Sequence, residues 1–222
     1  MVFEGFDVEA APERRRDLEP FGVLRVPATI VGARVVHGWN PKALAELVGV
    51  PYTEREPLAP PELARRLDTV LAATQRAMRQ IPRKHLGMKA PGRDRSVHQL
   101  GFHVFRLSAA FVDTREQGHM PEQWFEDRAP ADVADGEAVA RYGDTVRARL
   151  AAYQARPAWC DGSVSTYYGP QTAHEFMERT TWHAAQHLRQ IYWFLDRMGL
   201  QADSPLTDAD LEGLPIPRDV WS

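Results

Sequence analysis

The sequence predicts a mainly α protein: a four-helix bundle preceded by a small N-terminal α/β domain. Three observations carry this. Apolar residues recur at three- and four-residue spacing through four stretches between residues 60 and 200. Proline, glycine or an aperiodic stretch separates each from the next. The first fifty residues instead hold short β-branched runs around a Gly-Ala turn.

Taken in order, Phe3 to Val8 alternates weakly and reads as a short strand. Glu13 to Phe21 is charged and reads as a short helix. Val23 to Gly32 is an apolar run, Gly32-Ala33 a tight turn and Arg34 to His37 a second strand. Asn40 caps and Pro41 opens a helix over Lys42 to Val48, which Gly49 stops. Domain 1–50 is therefore β-α-β-β-α, and 51–59, aperiodic and proline-containing, is a linker.

The bundle spans 60–200. Pro60-Pro61 opens its first helix, which runs to about Gln80 with Leu63, Leu67, Val70, Leu71, Thr74 and Met78 on one stripe. Ser96 opens the second, with Val97, Leu100, Val104, Leu107 and Phe111 inward. An irregular acidic stretch, 118–135, leads to a third helix over Gly136 to Gln154. The long middle connection leaves room for a topology other than up-and-down. Residues 155–170 read as a loop and Gln171 to Met198 as the fourth helix. The tail, 201–222, reads as an irregular strap, with Pro215 and Pro217 set against helix.

Composition narrows the function. Lys and Arg number 27 against 30 Asp and Glu, and the net charge of −3 offers no overall cationic surface to nucleic acid or anionic lipid. With 222 residues, 44% of them apolar, the chain can bury a sizeable core. A single cysteine, Cys160, excludes an intramolecular disulfide framework and a Cys-rich metal knuckle, and suits a reducing compartment. The opening MVFEGFDVEAAPERRR has acids where a signal peptide needs a basic start, and no window approaches the roughly 18 apolar residues of a membrane span. A soluble cytoplasmic protein is expected, with no P-loop or GxGxxG to suggest a nucleotide.

Three of the eight histidines stand where the core pattern calls for apolar residues. His183 and His187, four apart, interrupt the stripe Phe176, Thr180, Ile191 and Phe194. His103 falls between Leu100 and Leu107 on the inward side of the second helix. Three unpaired imidazoles in an apolar core would each cost about 1–3 kcal/mol. One divalent ion, zinc or nickel first, then iron, manganese or copper, satisfies all three together. The alternative is ordinary hydrogen-bonded or surface histidine. His98 faces elsewhere, His174 sits at a helix start, and His37, His85 and His119 fall on loops or strand ends with no assigned role.

The segments Gly101-Phe-His-Val-Phe-Arg-Leu107 and Thr181-Trp-His-Ala-Ala-Gln-His-Leu-Arg-Gln-Ile191 resemble the DinB/YfiT superfamily over about residues 60–200. The resemblance implies a four-helix bundle with a metal-binding triad, one His from the second helix and an HxxxH pair from the last. His103, His183 and His187 then carry the ligand roles, and Gln190 matches a Gln that commonly follows the pair.

Val26-Pro27-Ala-Thr-Ile-Val-Gly32 with Arg34-Val-Val-His-Gly-Trp39-Asn40 resembles the second half of a glutaredoxin or thioredoxin-like domain. That family's proline is cis, and Pro27 matches it. The first strand, first helix and active-site cysteine are absent, and disulfide exchange needs a thiolate, so oxidoreductase activity is rejected. The domain is then a small cap or a retained thiol-peptide surface. Its incomplete sheet leaves pairing groups open, and a homodimer that covers them is expected.

Three neutral ligands leave a divalent ion its full charge and an open position, which lowers the pKa of bound water or holds a thiol as thiolate. DinB-like proteins include enzymes that use low-molecular-weight thiols such as bacillithiol or mycothiol. The resemblance therefore implies a thiol-dependent S-transferase acting on a small electrophile. The alternatives are a metal-dependent hydrolase, with Glu175 or Glu178 as candidate base, and a dimeric stress-response protein with a structural metal. Gln190 or Glu178 can orient an imidazole, and Arg106 or Arg189 can meet a substrate carboxylate. Tyr167 and Tyr168 shape a pocket mouth or pack over the bundle end. Trp39, Trp182, Trp193 and Cys160 read as packing residues.

Overall fold

The computed structural model describes residues 4–6, 8, 11–23, 28–38, 40–53 and 55–221. The chain divides into two compact units, 1–56 and 57–222.

In the first unit, Pro12–Phe21 is a 3-10 helix that ends at Gly22, held at φ +66. Most of its own residues are polar and Pro20 lies inside it, so the charged stretch does not become α-helix. β1 (Ala28–Val31) and β2 (Arg34–His37) form an antiparallel hairpin, paired from Ala28 with His37 to Val31 with Arg34. Gly32, at φ +60, supplies the left-handed turn residue. α1 (Pro41–Val48) begins where the Asn40 side chain accepts a bond from the Ala43 N–H at 3.0 Å. It buries Ala45 and Leu47, and Arg34 of β2 donates to its Leu47 carbonyl.

The predicted opening strand is not formed at Glu4–Phe6 or Val8. Phe6 is exposed, its ring under the Arg14 guanidinium instead of in a sheet. Pro27 and Trp39, and with them the cis peptide expected before Pro27, lie outside the described residues.

The second unit is the bundle, built from α2 (Pro60–Gln80), α3 (Val97–Gln117), α4 (Gly136–Gln154) and α5 (Ala173–Arg197). Side-chain caps start three of them: Ser96 for α3, Asp135 for α4, and Thr172 with Glu175 in a reciprocal box for α5. The expected stripes are inside: Leu63, Leu67, Val70, Leu71 and Met78 of α2, Val104 and Phe111 of α3, and Ile191 and Phe194 of α5.

α4 and α5 each pack against both α2 and α3, while α2 and α3 touch little. Around the bundle the order is therefore α2, α5, α3, α4. The diagonal crossings are made by 81–96 and 155–172, whereas the irregular 118–135 joins neighbours. The topology departs from up-and-down, but not through the middle connection.

Beside α5 lies a three-stranded sheet that periodicity did not predict. β3 (His119–Met120) runs parallel to β4 (Ser163–Thr166), and β4 is antiparallel to β5 (Gly169–Thr172). β5 takes residues expected in the last helix, so α5 starts at Ala173. The tail carries one short helix, α6 (Asp208–Leu211). Among the described residues no helix is long and apolar enough to cross a membrane.

Candidate metal centre

Direct packing of α3 on α5 brings the three core histidines together. His103 is 1% exposed. His183 and His187 stand one turn apart on α5 and are half-buried. One ring nitrogen from each of the three lies within 4.8 Å of the others. The Nε2 atoms of His183 and His187 are 3.1 Å apart. Nitrogens sharing one ion at about 2.0–2.1 Å sit roughly 2.9–3.4 Å from each other, so this pair already has ligand spacing. The His103 ring centroid is 5.3 Å from that of His183 and 5.2 Å from that of His187.

A hydrogen-bond chain sets the tautomer of His187. Gln190 Nε2 donates to the Val220 carbonyl at 2.8 Å, which turns Gln190 Oε1 toward His187. His187 Nδ1–H donates to that oxygen at 2.6 Å, which leaves the Nε2 lone pair aimed into the cluster, where it accepts from His183 Nε2 at 3.1 Å. Both nitrogens of His103 are buried, with no hydrogen-bond partner among the described residues. Neutral imidazole carries one donor and one acceptor, so His103 goes unsatisfied unless something enters the cluster.

Burial holds all three rings neutral. It pushes His103 and His183 well below the usual imidazole range, with the charge of His187 adding to both. It takes His187 down to about 4, against the opposing bond to Gln190. Neutral imidazole is the form that binds metal, and the donor set suits a divalent ion.

The irregular connection supplies a wall that sequence reasoning missed. Phe125, in the 3-10 turn Glu122–Glu126, stands edge-on to His103 at 5.5 Å and to His183 at 5.7 Å between centroids. Tyr167 backs Phe125 at 5.3 Å, so it belongs to the wall of the site. The available signal was Trp124-Phe125, an aromatic pair in an otherwise acidic stretch.

Other expected residues are committed elsewhere. Arg106 pairs with Asp113 at 3.0 Å and Asp127 at 2.6 Å. Arg189 donates to the Pro217 and Arg218 carbonyls of the tail. Neither is offered to a substrate carboxylate, because an ion pair or a carbonyl already takes each guanidinium. Glu175 is spent on the Thr172 N–H and hydroxyl as a helix cap, so it is no general base. Glu178 is half-buried on α5. Burial pushes the Cys160 thiol up to about 11 and the Tyr168 phenol up to about 12, leaving both protonated at neutral pH. Trp193 packs on Phe194 and Trp221, and Trp182 lies beside His183. His98, His119 and His174 bond to Val133, Ser165 and Leu58, outside the cluster.

No family model matches the chain, and no curated protein matches its sequence. Among solved structures it is similar to a DinB-like protein, YjoA, from Bacillus subtilis. The match has a TM-score of 0.52 at 16% identity and covers 65% of this chain and 96% of that one. The chain has a DinB-like fold. At that identity the likeness speaks for architecture alone. The DinB-like fold places His103 and the His183/His187 pair on helices that pack directly. The glutaredoxin or thioredoxin-like reading of residues 1–50 finds no support in the comparisons, and the described part of that unit is one hairpin with two short helical elements.

Proposed function

We propose that the protein binds one divalent metal ion, zinc or nickel first, through His103, His183 and His187, and activates a low-molecular-weight thiol for transfer to a small electrophile. The observation that carries the metal site is the pairing of two facing Nε2 atoms at 3.1 Å with a buried His103 that has no partner for either nitrogen among the described residues. When bound, the ion supplies a Lewis acid with an open position, which favours a thiol's thiolate form. The chain's own contribution is positional. Gln190 presents the His187 lone pair, Phe125 and Tyr167 exclude water from one side, and burial keeps the imidazoles unprotonated.

Thiol use is favoured over hydrolysis because Glu175, one of the two candidate bases, is tied up as a cap. In the transfer, the sulfur lone pair forms a C–S bond to the electrophilic carbon, and the leaving group departs with its bonding pair.

The test is elemental analysis of untagged protein beside His183→Ala, followed by incubation with bacillithiol or mycothiol and monochlorobimane. One equivalent of metal in the native protein, lost in the variant, and a metal-dependent conjugate are expected. Equal metal content in both proteins overturns the site. A metal-replete protein that forms no conjugate overturns the transferase.

A further inference from the structure

Among the described residues, the charged groups acting on the three imidazoles are all cations. Arg95 acts on every one of them, Arg106 on His103, Arg179 on His183 and Arg93 on His187. Three of these are engaged. Arg106 is held by two aspartates, Arg179 lies over the Tyr168 ring at 4.1 Å, and Arg93 donates to the Trp221 carbonyl at 2.6 Å.

Arg95 differs. It sits in the connection before α3, next to Ser96, whose pairing with Lys89 pins the loop. It is half-buried, and among the described residues its guanidinium makes one hydrogen bond, to the Phe125 carbonyl at 3.1 Å. The Phe125 ring is the one that walls His103 and His183, so the guanidinium and the triad flank the same residue. Among the described residues no carboxylate lies within ion-pair distance of Arg95, and Glu126 acts on it only through space. Burial lowers its pKa without removing its charge. A half-buried cation with four N–H groups that no described residue accepts is costly unless an anion completes it. A divalent ion on three neutral ligands adds to the positive potential and leaves the same demand.

We propose that Arg95 is an anion subsite beside the metal centre, receiving the carboxylate of the small molecule whose sulfur the centre takes. This rests on the thiol reading above and narrows it to an acidic ligand. The planar fork matches a carboxylate two bonds at a time, and the Phe125 carbonyl sets its orientation.

The test uses cobalt(II)-loaded full-length protein, titrated with 3-mercaptopropionate and with its neutral counterpart 3-mercapto-1-propanol. The near-ultraviolet sulfur-to-cobalt charge-transfer band reports binding. The native protein is expected to hold the acid about tenfold or more tighter than the alcohol, the worth of one charge-assisted bond pair. Arg95→Gln, which keeps a donor for the Phe125 carbonyl, is expected to erase that preference without changing affinity for the alcohol. Arg95→Lys is expected to restore part of it. Unchanged circular dichroism and cobalt stoichiometry are the folding controls.

Equal affinities in the native protein, or a preference that survives in Arg95→Gln, overturns the subsite. A cobalt-loaded protein that shows no charge-transfer band with either thiol overturns the thiol reading. In that event propionate, read in the visible cobalt bands, decides the subsite. Arg95-dependent propionate binding upholds it, and binding indifferent to Arg95 or absent overturns it.

Discussion

Replacing His103 with leucine separates a metal ligand from an ordinary core histidine. Without metal both ring nitrogens are buried with no partner among the described residues, and the residue lies among the apolar stripe of α3. One unmet donor and one unmet acceptor each cost about 1–3 kcal/mol. Leucine removes both and suits the neighbours Leu100 and Leu107, at a shape penalty under about 1.5 kcal/mol. The net is a gain of roughly 2 kcal/mol for metal-free His103→Leu, or a Tm about 4–8 °C higher for a domain of this size. Thermal unfolding in chelator compares the two proteins directly. With excess zinc the order reverses, because the native protein gains binding energy that the variant cannot. A metal-free variant that melts below metal-free native protein refutes the reasoning, since His103 would then be a satisfied core residue.

Gln190→Leu takes away the acceptor that fixes the His187 tautomer. Zinc affinity, measured by competition with a chromogenic chelator, is expected to fall about 10–100-fold; an unchanged affinity removes Gln190 from the site. The metal-free protein is expected to lose stability on acidification. His187 titrates near 4 in the fold against 6.5 in the unfolded chain, so the unfolded state binds more protons between those values. The stabilisation is full above about pH 6.5 and fades as pH falls toward 4, by roughly 3 kcal/mol for this residue. Urea midpoints at pH 7.5, 5 and 4 measure it, and a flat profile contradicts it. Gly136→Ala places a Cβ against the Met78 carbonyl, where α4 begins close to the backbone of α2. Backbone yields less readily than a side chain, so a loss of about 1–3 kcal/mol is expected in the urea midpoint at neutral pH; a change under about 0.5 kcal/mol means the helices separate freely there.

Much of the bundle was legible because helical periodicity is local. Gly136 to Gln154 has the predicted limits, and the stripes of α2, α3 and α5 are buried as their spacing requires. The same logic marked His103, His183 and His187, polar residues at core positions. Elements of two to four residues carry no such period. β5, Gly-Pro-Gln-Thr, has no apolar residue to betray it, and β3 is two residues long. At the other end, Phe3 to Val8 looked like a strand, but its Phe6 found Arg14 instead of a sheet. The roles given to Arg106 and Arg189 failed for a related reason. Their partners, Asp127 and the tail carbonyls, lie far along the chain and leave no mark on the residues near them.

Two imidazoles four residues apart on one helix share a face because the backbone repeats every 3.6 residues, and no tertiary contact is needed to know it. The meeting of that pair with His103, the Phe125 wall, the Val220 carbonyl behind Gln190 and the place of Arg95 depend on how α3 packs on α5 and where the loops and tail return. Those contacts join residues distant in sequence. They are set by the path of the main chain, which side-chain type at a position does not encode.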